Sequence, residues 1–221
     1  MVHPPGDDVR GAEPPGEDEL LATSDVLLRL VRNFPGERLT IGDIIDGLED
    51  RAFGLLMLLF ALPNCPPMPG IPFLSTVTGT PIVFFAGQLA LGHHTPWLPK
   101  WLLRRAFDRA QLLRALERIA PYVRRVEAFL EHRWPQLATG TGERAAALMA
   151  LILAVILALP IPGGNLLPAW AIVFFSLGII ERDGMCIAIG WGVTILALAL
   201  VALVLTLGLQ VLHYLITQAF A

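Results

Sequence analysis

The stretch Ala61-Leu62-Pro63-Asn64-Cys65-Pro66-Pro67-Met68-Pro69-Gly70 decides how this chain is read. It is a proline-rich knot between two apolar runs. A helix cannot continue through it, because each proline lacks the N–H and its ring clashes with the preceding turn. A second knot, Ala158-Leu159-Pro160-Ile161-Pro162-Gly163-Gly164-Asn165-Leu166-Leu167-Pro168, repeats the plan. In both copies an apolar arm ends on Ala-Leu-Pro, passes through Pro, Gly and Asn, and resumes at Ile-Val-Phe-Phe, first Ile82–Phe85 and then Ile172–Phe175. Each first arm opens on acid, arginine and alanine: Glu49-Asp50-Arg51-Ala52 and Glu143-Arg144-Ala145. Four matched landmarks in one order predict an internal duplication.

The arms are apolar enough for a membrane. The chain has 221 residues, is 55% hydrophobic and has a mean hydropathy of +0.63. No Asp, Glu, Lys or Arg occurs from Ala52 to Pro99, from Ala145 to Ile180 or from Gly184 to Ala221. These windows hold 48, 36 and 38 residues, and a spanning helix needs roughly 20. The expected fold class is therefore all-α, a polytopic integral membrane protein. The net charge of −3 and the lack of any basic, aromatic-interleaved patch give no sign of a nucleic-acid partner. The two cysteines, Cys65 and Cys186, sit in apolar context without metal or disulfide spacing, which suits small-residue packing.

Along the chain four regions are expected: an acidic tail over 1–20, a first repeat module over 21–100, a basic amphipathic segment over 101–142 and a second module over 143–221. The tail is Pro, Gly and acid rich, has no basic segment followed by an apolar core, and reads as disordered. Thr23-Ser24-Asp25 offers N-caps for a helix from Val26 to about Asn33, and Thr40 caps another from Ile41 to Asp50. Ala52–Leu62 is only 11 residues long, about 16 Å of helix, so the first knot falls near mid-membrane. Non-helical backbone is tolerated there only when buried in protein or facing water. The return arm runs from Ile71 to Gly92. The window from Ala145 to Ile180 is short for two full crossings, so each module reads as a re-entrant hairpin. The structural breaks are Pro63, Pro69 and Gly70 in the first and Pro160, Pro162 and Gly163 in the second.

His93-His94-Thr95-Pro96-Trp97-Leu98-Pro99-Lys100-Trp101 marks an exit to the interface. The adjacent histidines read as loop polarity rather than a metal site. Lys100 to Arg144 holds 10 of the 16 Lys and Arg, which places it in the cytoplasm. Leu103, Ala106, Phe107, Ala110, Leu113, Leu116 and Ala120 recur at helical spacing, Pro121 breaks the run, and a second amphipathic helix comes after it, making a hairpin. Its arginines suit either anionic lipid headgroups or a solvated, salt-bridged face. A charged turn, Glu181-Arg182-Asp183, closes the second module. A final span from Met185 to about Gly208, interrupted at Gly190-Trp191-Gly192, leaves Gln210–Ala221 at the far interface.

At these residues the chain resembles the ExoD family of bacterial membrane proteins. The resemblance rests on Phe60-Ala61-Leu62-Pro63-Asn64 with Pro69-Gly70-Ile71-Pro72, Gln88-Leu89 with Gly92, Pro96-Trp97-Leu98-Pro99, and Leu177-Gly178-Ile179-Ile180-Glu181-Arg182-Asp183-Gly184. The first knot departs from it, with Cys65-Pro66-Pro67-Met68 where a simpler Pro-x-Pro-Gly is expected. The resemblance implies a role in exopolysaccharide production in the bacterial inner membrane. The paired broken hairpins are more loosely similar to the plan of the DedA proteins, which are associated with lipid movement.

Broken helices at matching positions of two repeats point to a binding site between them. Asn64, Asn165 and Gln88 are its polar candidates, unless they only satisfy backbone groups freed by the prolines. The expected function is transporter-like or lipid-handling. The alternative is a scaffold or regulator of a polysaccharide synthase docking through the arginine-rich segment. No nucleophilic triad, zinc motif or phosphate loop suggests an enzyme or a cofactor. Glu181 and Asp183 are placed to pair with Arg182 or Arg51 rather than to act as acid and base. Membrane lipids, polysaccharide-synthesis machinery and further copies of the chain are the expected partners.

Overall fold

The computed structural model describes residues 23–48, 51–66, 74–127, 130, 134–159 and 165–219. The acidic tail and the breaks expected at Pro69, Gly70, Pro160, Pro162 and Gly163 lie outside the described residues. The chain begins with α1 (Thr23–Asn33), strand β1 (Arg38–Thr40) and α2 (Ile41–Leu48). The first module follows as α3 (Arg51–Ala61), a 3-10 turn over Leu62–Asn64 that contains Pro63, and α4 (Leu74–Ala90). Next come α5 (Lys100–Leu103), β2 (Ala106–Asp108), α6 (Arg109–Glu127) and the short α7 (Pro135–Ala138). The second module is α8 (Thr141–Ala158) and α9 (Leu166–Ile180), and α10 (Gly184–Ala219) ends the chain.

The two modules interlock. Within each, the two arms pack on one another. Across them, α3 packs on α9 and α4 on α8, so the ring order is α3, α4, α8, α9 with α3 and α8 on one diagonal. Exchanging the modules reproduces the same set of contacts, as a two-fold repeat requires. Small residues permit the close crossings, as they do where helices pack in lipid. Ala146, Ala150 and Ala154 are fully buried at four-residue spacing on α8. A Cβ on Gly79 of α4 would lie 3.0 Å from the Ala158 backbone nitrogen, and one on Gly54 of α3 would lie 2.6 Å from Ile180 Cγ1 and 2.9 Å from the Ser176 carbonyl oxygen. Phe53, Met57, Ile82, Leu153, Leu157, Ile172 and Phe175 fill the middle and are fully buried.

The outside of the ring is apolar as well. Leu59, Val77, Leu148, Ile195 and Leu209 are all more than half exposed, more than water-facing surfaces normally tolerate in bulk. Among the described residues, two helices are long and apolar enough to cross a membrane, α8 and the Gly184–Gln210 part of α10.

Local signals explain much of the rest. Thr40 caps α2 as expected, and the cap is reciprocal: the Asp43 N–H donates to Thr40 Oγ1 at 3.2 Å and the Thr40 N–H to Asp43 Oδ2 at 2.9 Å. α1 already includes Thr23, earlier than expected, and distant carboxylates accept from the N–H groups of its first described residues. The Ser24 N–H donates to Glu127 Oε1 at 2.8 Å and the Thr23 N–H to Glu181 Oε1 at 3.3 Å.

Three expectations are corrected. First, the segment after Lys100 is not a helical hairpin: Ala106–Asp108 pairs antiparallel with Arg38–Thr40, a small exception to the all-α class. Second, α6 runs unbroken through Pro121. That residue is exposed, so the one carbonyl it orphans, that of Glu117, can turn to solvent. Third, Gly190-Trp191-Gly192 does not interrupt α10. Gly190 is a contact glycine, where a Cβ would lie 2.8 Å from Phe175 Cδ1. The same helix continues to Ala219, through most of the expected interfacial tail.

If the interlock carries the fold, Gly79→Val should destabilise the detergent-purified protein by about 2 kcal/mol, since the Ala158 backbone cannot yield. Gly192→Ala, with nothing within 4 Å of the new methyl, should leave the melting temperature unchanged. Equal melting curves for the two variants would refute the close crossing.

Candidate functional site

The broken ends satisfy one another across the repeat. Asn64 Nδ2 donates to Thr78 Oγ1 at 2.8 Å and to the Phe60 carbonyl oxygen at 3.3 Å. Thr78 in turn donates to the Leu74 carbonyl at 2.8 Å. Thr76 Oγ1 donates to the Ala158 carbonyl at 2.8 Å, so the first module closes the C-terminus of α8 in the second. Asn165 Oδ1 is buried with no hydrogen-bond partner. Asn64 thus serves the freed backbone and Thr78, whereas Asn165 holds unused acceptor capacity. Gln88 is not with them. It lies in the last turn of α4, where its Oε1 accepts the Trp97 N–H at 2.7 Å and fixes the turn beyond the helix.

At the other end of the ring the structure assembles a site that the sequence left scattered. A cavity of about 240 Å³ is lined by Arg51 at the start of α3, by Glu143 and Arg144 at the start of α8, by Leu89 and Gly92-His93-His94 after α4, by Ile179 and Arg182 at the end of α9, and by Ala138-Thr139-Gly140. The two first arms begin at this space and the two second arms end there, so all four ring helices contribute an end to it. Among the described residues, no group of three or more His, Cys, Asp or Glu is placed to hold a metal ion.

The two second arms end with one geometry. The His93 N–H donates to the Gln88 carbonyl at 3.1 Å, and the Asp183 N–H donates to the Gly178 carbonyl at 3.0 Å. These are six-to-one closures that need a left-handed residue just before the donor. That residue is Gly92 at φ 84° in the first module and Arg182 at φ 51° in the second. The equivalent pairs lie 90 residues apart, as do Ile82–Phe85 and Ile172–Phe175. Glycine takes this conformation freely, whereas another residue there costs about 1 kcal/mol. The strained Arg182 faces the cavity. Gly92 is restricted for a further reason: a Cβ there would lie 2.8 Å from Arg144 Nη2.

The neighbouring carboxylates serve other purposes. Asp183 Oδ1 accepts the Met185 N–H at 2.8 Å, capping α10. Glu181 takes the Thr23 N–H, and Arg51 Nη1 donates to Thr23 Oγ1 at 3.1 Å, tying the start of α3 to α1. Beyond Glu181 a second cavity of about 200 Å³ opens between α1, α3, α6 and α9, lined by side chains such as Leu27, Leu58, Leu116, Ile119 and Leu177. The last turn of α9 separates the two: Ile180 and Glu181 face the apolar cavity, Ile179 and Arg182 the polar one. On α6, Arg124 pairs with Asp25 at 2.7 Å, and Arg109 caps α1 by donating to the Val31 and Arg32 carbonyls at 2.8 and 2.6 Å. Those arginines hold α1 in place.

Comparison with known proteins settles the kinship. The family described as "Exopolysaccharide synthesis, ExoD" matches residues 23–203. The chain belongs to the ExoD family. It is 33% identical over 178 residues to Protein ExoD of Rhizobium meliloti (strain 1021), covering 79% of this chain and 73% of that one. It is also 26% identical over 156 residues to an uncharacterized Synechocystis protein, covering 70% and 73%. No solved structure matches. The family is implicated in exopolysaccharide synthesis, and its name together with two long apolar helices points to association with a membrane. The match takes in both knots and all four arginine-cavity elements.

The two asparagines should separate in a stability assay. Asn64→Ala removes two hydrogen bonds and should lower stability by about 1 kcal/mol, with a measurable coupling to Thr78→Val. Asn165→Ala removes an oxygen that has no partner and should be neutral. A destabilisation by Asn165→Ala equal to that by Asn64→Ala would show that its oxygen is engaged.

Proposed function

We propose that this ExoD-family chain is a multi-pass inner-membrane protein that handles a lipid or lipid-linked substrate of exopolysaccharide synthesis. The observation that carries the reading is the two-fold ring of broken hairpins, whose charged ends share one polar cavity while apolar side chains fill its middle among the described residues. A solute carrier needs a polar path to the midplane. Here the described middle of the ring holds Phe53, Met57, Ile82 and Phe175, fully buried. A lipid needs no such path, because its tails stay in hydrocarbon and only the headgroup requires polar partners. In this reading the hairpins are re-entrant, their charged ends lie at the cytoplasmic surface, and α1 and α6 lie along it. The exposed Trp97, Trp101 and Trp134 suit that boundary. The scaffold alternative draws less support, because Arg109 and Arg124 of its docking surface are tied to α1.

Two measurements test this. Cysteines placed at the exposed Asp46 and Thr95, in a background lacking Cys65 and Cys186, should both be labelled from the cytoplasmic side. Labelling of the two from opposite sides would eliminate the re-entrant first hairpin. Proteoliposomes containing the chain should move a labelled anionic lipid between leaflets faster than protein-free vesicles. Equal rates, with exopolysaccharide production still restored in a deletion strain, would favour the scaffold.

A further inference from the structure

We infer that the arginine-lined cavity is an anion site that takes a phosphate monoester or diester group. This deepens the lipid-handling reading and rests on it for the claim that the group belongs to a lipid. Arg51, Arg144 and Arg182 reach the cavity from both repeats, against the single carboxylate of Glu143 among the described residues lining it. Glu181 and Asp183, the nearest other acids described, are directed to the first turns of α1 and α10 instead. Among the described residues lining the cavity, arginines therefore outnumber carboxylates three to one.

Two backbone features point to the same use. Arg182 adopts φ 51° at the position where the first repeat has Gly92. A glycine would close α9 without strain, as Gly92 closes α4, so closure of the helix does not explain the arginine. What the strained position gains is a guanidinium in the cavity. Conversely, the missing side chain at Gly92 makes room for the Arg144 guanidinium, which a Cβ would meet at 2.8 Å. One repeat supplies the charge and the other supplies the space for its neighbour.

The chemistry favours phosphate over other anions. Guanidinium forks match the oxygen pairs of a phosphate bidentately. A volume of about 240 Å³ is several times the ~30 Å³ share of one water. A bare halide underfills it, whereas a phosphate with its ester substituent does not.

The test uses the full-length chain purified without phosphate, in detergent and in nanodiscs. Inorganic phosphate should raise the melting temperature in detergent, or phosphatidic acid should raise it in nanodiscs relative to phosphatidylcholine alone. A response to phosphatidic acid only identifies a lipid headgroup as the source; a response to inorganic phosphate shows that the free anion suffices. Arg144→Gln and Arg182→Gly should each weaken that binding about tenfold, the loss expected from about one charge-assisted hydrogen bond. The glycine suits the left-handed position, so Arg182→Gly keeps the helix end. Arg118→Gln, on the exposed face of α6, should bind as the wild type does. Absence of any response in the wild type, or wild-type binding by both cavity variants, overturns the site. Arginine-dependent phosphate binding in a protein that moves no lipid would remove the handling reading and leave the site. Lipid movement by a protein that shows no phosphate response, or whose cavity variants bind as the wild type does, would do the reverse.

Discussion

The constraint on which the structure depends is the pairing of the backbone groups at the two broken helix ends, those of α3 and α8. A carbonyl freed at the end of α3 or α8 costs free energy wherever it is buried without a partner. The chain answers with side chains from the partner arm. Asn64 serves Phe60, and Thr76 of the first module serves Ala158 of the second. Because the second bond crosses between repeats, α4 must lie against α8, and Gly79 must be bare to allow it. The ring order follows from that contact.

The duplication is preserved in backbone geometry more faithfully than in residue identity. Both second arms end in the same six-to-one closure, yet Gly92 fills the left-handed position in one and Arg182 in the other. Gln88, which pins the Trp97 turn, has Gly178 as its counterpart, where a Cβ would lie 2.5 Å from Ile187 Cγ1 of α10. The difference comes from the segment that leaves each module. A charged excursion leaves the first and can accommodate a side chain such as Gln88. The second leads at once into α10, which packs along α9 and demands a small residue. Identical closures have been adapted to different neighbours.

What the sequence makes legible are features that act over a few residues. The prolines that end the arms, the Thr40 cap with Asp43, and the uncharged windows all declare themselves locally. Pro121 misleads because a proline's effect depends on whether the orphaned carbonyl can reach water, which sequence spacing does not report. Gly190 misleads because a glycine that admits a neighbouring ring looks the same as one that loosens a helix. Ala106–Asp108 fits a helical face as well as a strand, and its pairing with Arg38–Thr40 is decided by residues far upstream. The cavity was hidden for the same reason. Arg51, Gly92, Arg144 and Arg182 each read as the edge of an apolar run, and only the interlock of the repeats brings those edges together. Aligning the repeats by their shared offset would have set Gly92 against Arg182, the one local clue to the site.

The placement of charge follows from the same interlock. An arginine at the edge of an apolar helix must keep its guanidinium near water or near partners, because isolated burial of a charge is prohibitive. Four helices ending together create a shared space in which several such groups can remain solvated without unfolding a turn. They also create a problem, since like charges drawn to one space repel. Two carboxylates that could relieve that repulsion are instead committed to helix caps: Glu181 at α1 and Asp183 at α10. Those caps secure the amphipathic layer and the long final helix to the ring, so the acids could not be released to neutralise the cavity without loosening both. Attached in this way, Glu181 and Asp183 stay out of the cavity, where Arg51, Arg144 and Arg182 outnumber Glu143 among the described lining residues.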